Sequence, residues 1–110
     1  RYSTYRIERN RDVPRSNISR IKEQVRRRQY DMSAHAMEEM AEDLLDIEDV
    51  ENAVLNGRII RTERDDPRGT KYVIEGIAAD EETSVGIIGR FASTGRYLII
   101  TVYEVAPNEE

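Results

Sequence analysis

Apolar residues recur every three or four positions in three stretches of the first half of the chain, which is the period of one face of an α-helix. The predicted helices are 17–29, 34–44 and a third that follows Asp46 and ends at Asn56. Ser33 is a suitable N-cap for the second helix, and Asp46 with Asp49 resembles a capping box. Gly57 is expected to close the third helix in the left-handed conformation, which glycine adopts without steric cost.

After Gly57 the chain changes to short runs rich in β-branched and aromatic residues, which are typical of strands. The four predicted strands are 59–62, 72–77, 85–91 and 97–103. The segments between them are short and have turn compositions, so the strands are expected to form an antiparallel meander. The predicted fold class is therefore α+β, with two to three N-terminal helices packed on a four-stranded antiparallel sheet.

Alternation in the last predicted strand divides its side chains between the two faces of the sheet. We expect the face that packs on the helices to carry Leu98, Ile100 and Val102. The opposite face is then a groove or a dimer surface that carries Tyr97, Ile99, Thr101 and Tyr103. Glycines inside strands indicate bulges or the close approach of another backbone or a ligand. These glycines are Gly76, Gly86 and Gly89.

Length and composition fit one globular domain, since the chain has 110 residues, of which 38% are hydrophobic and 35% are charged. We assign 1–16 to a flexible basic arm, 17–105 to a single α+β domain and 106–110 to a C-terminal tail. No stretch approaches the roughly 18 apolar residues of a membrane span, and the arginine-rich N-terminus lacks the apolar run of a signal peptide. A cytoplasmic protein without a membrane partner is expected.

The net charge of −5 is unevenly distributed along the chain. Residues 1–30 contain ten Lys and Arg against three acidic residues, and the remaining eighty contain seven against nineteen. A basic arm ahead of an acidic body fits nucleic acid, an acidic partner, or contact with its own domain. Eight carboxylates lie within residues 38–51, so the arm of a second copy can also pair with these acidic helices and form a homodimer.

The residue inventory excludes several kinds of site. Because the chain has no cysteine and one histidine, disulfides, thiolate zinc sites, cysteine nucleophiles and sites that need two imidazoles are ruled out. We expect no metal and no cofactor.

His35 is the natural general acid or base near neutral pH, with a structural role at the helix start as the alternative. Arginine and tyrosine can bind a phosphate and move its protons, and the strand residues of this kind are Arg58, Arg61, Tyr72, Arg90, Tyr97 and Tyr103.

Several consecutive motifs together resemble one known family. They are Tyr-Asp-Met-Ser-Ala-His-Ala at 30–36, Met-Ala-Glu at 40–42, the segment 47–60, Asp-Asp-Pro-Arg-Gly at 65–69 and Ile-Thr-Val-Tyr at 100–103. Over about 21–104 the chain resembles the bacterial domain of unknown function (DUF) 4258 family. The resemblance implies a helix–helix–sheet arrangement similar to the RelE-like and BrnT-like toxins, which are metal-independent ribonucleases held inactive by an antitoxin. It therefore implies RNA as the substrate and an antitoxin protein as a partner.

The resemblance also assigns residues. The histidine of the family's S-x-H-A motif corresponds to His35, and its terminal T-x-Y corresponds to Thr101 and Tyr103. Many members carry arginines at two positions that are Glu39 and Asp43 in this chain, and exchanging cations for anions there opposes phosphate binding. The predicted catalytic residues are His35, Arg90, Thr101 and Tyr103, and the predicted substrate-binding residues are Arg58 and Tyr72.

Two functions follow from these residues. The first is a toxin-like, metal-independent endoribonuclease of a toxin–antitoxin pair, either active or degenerate, in which the 2′-hydroxyl attacks the neighbouring phosphate. His35 or Tyr103 would move the protons and Arg90 would stabilise the developing charge. The second is a non-catalytic protein-interaction or dimerisation module on the same scaffold, because one fold can serve both functions.

Overall fold

The computed structural model describes residues 16–106, which form three helices and five strands. In chain order the elements are α1 (Asn17–Arg26), β1 (Tyr30–Met32), α2 (Ala34–Glu42), α3 (Ile47–Asn56), β2 (Arg58–Glu63), β3 (Lys71–Ile77), β4 (Ser84–Phe91) and β5 (Tyr97–Glu104). The α+β class is therefore confirmed. The predicted basic arm lies outside the described residues except for Ser16, and so does the predicted tail except for Ala106.

Side-chain caps start the helices where the sequence predicts them. The Ser33 hydroxyl accepts a hydrogen bond from the backbone N–H of Ala36, and the capping box of Asp46 and Asp49 is complete. The prediction for Gly57 is wrong, because its backbone is extended, with φ −90° and ψ −179°. Glycine is needed there for its size, since a Cβ would collide with the carbonyl oxygen of Ala53.

The sheet contains one strand more than the four predicted. Strands β2 to β5 form the antiparallel meander, and β1 pairs in parallel with β5, which gives the order β1-β5-β4-β3-β2. The first predicted helix ends at Arg26 instead of residue 29, which leaves Tyr30–Met32 free to form β1. Three residues are too few to show a period, so the sequence pattern does not reveal this strand.

A bulge in β5 reverses the predicted assignment of faces in its first half. Thr101 pairs with Ile88 and Ile99 pairs with Gly89, so Ile100 is an extra residue between them. An extra residue shifts the alternation by one position. Tyr97 and Ile99 therefore lie in the core, and Leu98 and Ile100 do not, contrary to the prediction. The predicted positions of Val102 in the core and of Thr101 and Tyr103 on the opposite face are correct.

All three helices bury apolar side chains against one face of the sheet. The cluster contains Ile21 and Val25 from α1, Ala36 from α2 and Val54 from α3, together with strand residues such as Ile87. We call this the core face and the other the open face. No helix of residues 16–106 is long and apolar enough to cross a membrane.

Candidate functional site

One row of side chains crosses the open face over four strands. Arg58 on β2 pairs with Glu75 on β3, Glu75 pairs with Gly86 on β4, and Gly86 pairs with Tyr103 on β5. Side chains of residues that pair directly across strands project on the same face. The row therefore aligns a guanidinium, a carboxylate and a phenol, with a glycine between the last two.

Tyr103 lies over the backbone of Gly86, since a Cβ on Gly86 would collide with the Tyr103 ring. The pKa of the Tyr103 hydroxyl is raised, first by burial and then by the negative charge of Glu75, while the positive charge of Arg61 acts in the opposite direction. A raised pKa keeps the phenol protonated at neutral pH. Tyr103 is thus held as a hydrogen-bond and proton donor, with a carboxylate and a guanidinium close enough to affect its charge.

The neighbouring row on the open face contains Arg61, Val73, Ile88 and Thr101 in register. A second bulge, at Ile60, makes Arg61 pair with Val73 and turns it to this face. The Arg61 guanidinium forms an ion pair with Glu63 at 2.9 Å. Thr101 is half-buried at the β5 end of this row. Together the two rows bring predicted residues Arg58, Thr101 and Tyr103 onto one surface.

Arg90 also projects on the open face, where it pairs with Leu98. It lies four residues beyond Gly86 on β4, which places its backbone about 13 Å along the sheet from the Tyr103 row. Arg61 is paired with Glu63, whereas neither Arg58 nor Arg90 forms an ion pair within residues 16–106. Among the residues that the structure describes, Arg58 on β2 and Arg90 on β4 are therefore two cations of this face without a carboxylate partner.

His35 belongs to a different part of the molecule. It lies in the first turn of α2, its side chain is 63% exposed, and its Nε2 is 3.1 Å from a carboxylate oxygen of Glu39. The other oxygen of Glu39 accepts a hydrogen bond from the backbone N–H of Val102. The structure thus joins His35 to Glu39, and through Glu39 to the backbone of Val102 on the edge of β5.

Past the end of its pairing with β1, the edge of β5 is hydrogen-bonded by side chains. One of these belongs to the N-cap of α2 and the others to α2 and its C-cap. Ser33 donates to the carbonyl of Ile100, Glu39 accepts from Val102, and Asp43 accepts from the backbone N–H of Glu104. Glu39 and Asp43 therefore have a structural use that an arginine could not serve, because an arginine has no acceptor for a backbone N–H.

Tyr72 lies on the core face, is 8% exposed and packs edge-on against Phe91. This burial leaves little of its side chain for a substrate, and its predicted role in binding stays a prediction.

Sequence reasoning missed Glu75, and it named Arg61 among the strand arginines without choosing it as a site residue. The available signal for Glu75 was the presence of a charged residue inside the apolar run 72–77. No such signal shows on which side of the sheet Arg61 projects, because that depends on the bulge at Ile60. Among residues 16–106 no three His, Asp or Glu side chains come close enough to form a metal site.

Comparison with known proteins identifies one family. The sequence model of the family described as "Domain of unknown function (DUF4258)" matches residues 32–104. No curated protein and no solved structure matches the chain.

Proposed function

The chain belongs to the DUF4258 family, and from that premise we propose that it is a toxin-like, metal-independent endoribonuclease that uses the open face of its sheet. The observation that carries the proposal is the row Arg58–Glu75–Gly86–Tyr103, with Arg61 beside it. Such an enzyme would act in the cytoplasm and require an antitoxin protein to hold it inactive.

The row contains the groups that cleavage of RNA by its own 2′-hydroxyl requires. The 2′-oxygen bonds to the adjacent phosphorus while Glu75 accepts the 2′ proton. The bond between phosphorus and the 5′-oxygen breaks, and Tyr103 donates its proton to the leaving 5′-oxygen. Arg61 offsets the charge that develops on the phosphate oxygens. The products are a 2′,3′-cyclic phosphate and a 5′-hydroxyl, and Tyr103 and Glu75 return to their starting states by exchanging protons with water.

The electrostatics of the open face agree with this assignment. The Tyr103 phenol is protonated at neutral pH, so it can donate a proton and is not available as a base. Arg58 lies about 14 Å from Tyr103 across three strand spacings, so it would bind a neighbouring phosphate of the same RNA. The acidic residues 38–51 are mostly on α2 and α3, on the other side of the sheet, and do not cover this surface.

A second candidate, the non-catalytic interaction module, is favoured by the position of His35. The only histidine of the chain pairs with Glu39, and Glu39 is bound to the β5 edge. If cleavage needs an imidazole at the phosphate, this scaffold does not provide one on the open face. The same surface would then bind a partner without chemistry.

The deciding experiment is cleavage of a mixed RNA in EDTA by the purified chain, with analysis of the product ends. We expect 2′,3′-cyclic phosphate ends, and a loss of rate of about 10²–10⁴-fold for Glu75→Gln, which removes the base. Glu82→Gln, an exposed loop glutamate, is the matched control and should cleave at the wild-type rate. Absence of cleavage by folded, partner-free wild type would reject the ribonuclease and favour the interaction module.

A further inference from the structure

Three large apolar side chains are exposed where α2 meets α3. Met37 on α2 is 50% exposed, Leu44 after α2 is 91% exposed and Ile47 at the start of α3 is 42% exposed. Within residues 16–106 the one other exposed large apolar side chain is Ile60 on β2. All three lie within residues 37–47, which run from α2 through the turn into α3. We call these three residues the apolar corner.

Leu44 has a backbone conformation that leucine disfavours. It follows the last turn of α2 with φ +57°, at a position where glycine is the common residue. A left-handed conformation is unfavourable for a residue that carries a side chain. Leu44 also gains almost nothing from burial, because it is the most exposed of the exposed large apolar residues of 16–106. Burial within the described domain therefore does not account for a leucine at this position.

The charges around the apolar corner indicate what kind of molecule fits it. Residues 30–56 contain nine Asp and Glu and no Lys or Arg. Some of these carboxylates have partners within the fold, such as Glu39 with Val102 and Glu51 with Tyr30. Three others are exposed and form no ion pair among residues 16–106, namely Glu38, Glu42 and Glu48. An apolar centre with an anionic surround complements a segment that presents apolar side chains among cations.

We propose that the apolar corner is a docking site for a cationic amphipathic segment of a partner protein, with leucine-like side chains against Leu44 and Lys or Arg against the surrounding carboxylates. The proposal is independent of the ribonuclease, because it uses neither the open face nor any residue of the two rows. RNA is not a candidate for this site, since the carboxylates repel phosphates.

The test measures binding of a labelled synthetic helical peptide of leucine and arginine to the full chain by fluorescence anisotropy. Leu44→Gly should weaken binding at least tenfold and at the same time raise the Tm, because glycine relieves the left-handed residue. Ile60→Ser is the matched control outside the corner and should bind as wild type does. A peptide with serine in place of leucine and the same charge should bind at least tenfold more weakly, and added salt should weaken both.

Equal binding by Leu44→Gly and wild type would overturn the proposal, and so would equal binding of the leucine and serine peptides. Light scattering on the chain alone tests whether a second copy of the chain occupies the apolar corner instead. A dimer that Leu44→Gly dissociates would show that a second copy covers the corner, which contradicts the choice of a separate partner. None of these outcomes depends on RNA cleavage, so the failure of one proposal can be distinguished from the failure of the other.

Discussion

Glu39 on α2 accepts a hydrogen bond from the backbone N–H of Val102 on β5, at 3.0 Å. Asp43 does the same for Glu104, also at 3.0 Å. An exposed strand edge offers unpaired N–H groups that can pair with a strand of another chain. Side-chain acceptors that bind those N–H groups prevent such pairing. Glu39 and Asp43 thus have a clear structural role, which does not depend on whether the domain cleaves RNA.

Replacing Glu39 by arginine should therefore destabilise the domain. Glu39→Arg removes the acceptor for Val102 and leaves that half-buried N–H unpaired, so we expect a loss of about 1–3 kcal/mol in the free energy of unfolding. Glu39→Gln keeps an acceptor and should lose less than 1 kcal/mol. Urea unfolding measures both. Glu38→Arg, one residue earlier and exposed, controls for the change of charge, and an equal loss in that variant would contradict the account.

Tyr97 carries an unusual buried hydroxyl. The side chain is fully buried on the core face and its hydroxyl has no hydrogen-bond partner in the described part of the chain. Burying an unpaired hydroxyl is unfavourable, so Tyr97→Phe should leave stability unchanged or raise it by about 1 kcal/mol. Tyr30→Phe is the matched control and should lose about 1 kcal/mol or more, because the Tyr30 hydroxyl donates to Glu51. Destabilisation by Tyr97→Phe of the same size would show that the hydroxyl has a partner.

Acid should destabilise the domain partly through Asp66. Hydrogen bonds and charge from Arg68 lower the pKa of the Asp66 carboxyl to about 2. A carboxyl whose pKa is lower in the folded state adds stability above its ordinary pKa of about 3.9, and this contribution disappears as the pH falls through the folded value. Asp66→Asn should therefore reduce the decline in unfolding free energy between pH 5 and 2, measured by urea titrations. Asp65→Asn should keep the wild-type decline, and a wild-type slope for Asp66→Asn would reject the assignment.

The sequence predicted local structure well where one side chain decides it. Ser33, Asp46 and Asp49 cap helices as their chemistry requires. It failed where a long-range contact decides, as at Ile100, whose bulge appears only when β5 pairs with β4. Gly57 is a similar case, because the approach of Ala53, and not the local backbone, requires a glycine there.

In the candidate site, too, local patterns predicted some residues, and long-range contacts decide the others. Tyr103 was predicted from the family's T-x-Y motif, and its surface was predicted from alternation near the end of β5. Glu75 was missed, and Arg61 was named without being chosen, because their proximity to Tyr103 depends on the register of four strands. The grouping of His35 with Arg90 and Tyr103 was a chemical argument without geometry, and the structure places His35 on α2 beside Glu39.

The measurement that tests the central claim most directly is the rate of RNA cleavage in EDTA by wild type, Tyr103→Phe and His35→Ala, purified identically and shown to be folded. We predict that Tyr103→Phe lowers the rate by about 10²-fold or more, because it removes the proton donor of the open face, and that His35→Ala stays within about threefold of wild type. Loss of cleavage in His35→Ala with an active Tyr103→Phe would contradict the account and move the chemistry to α2.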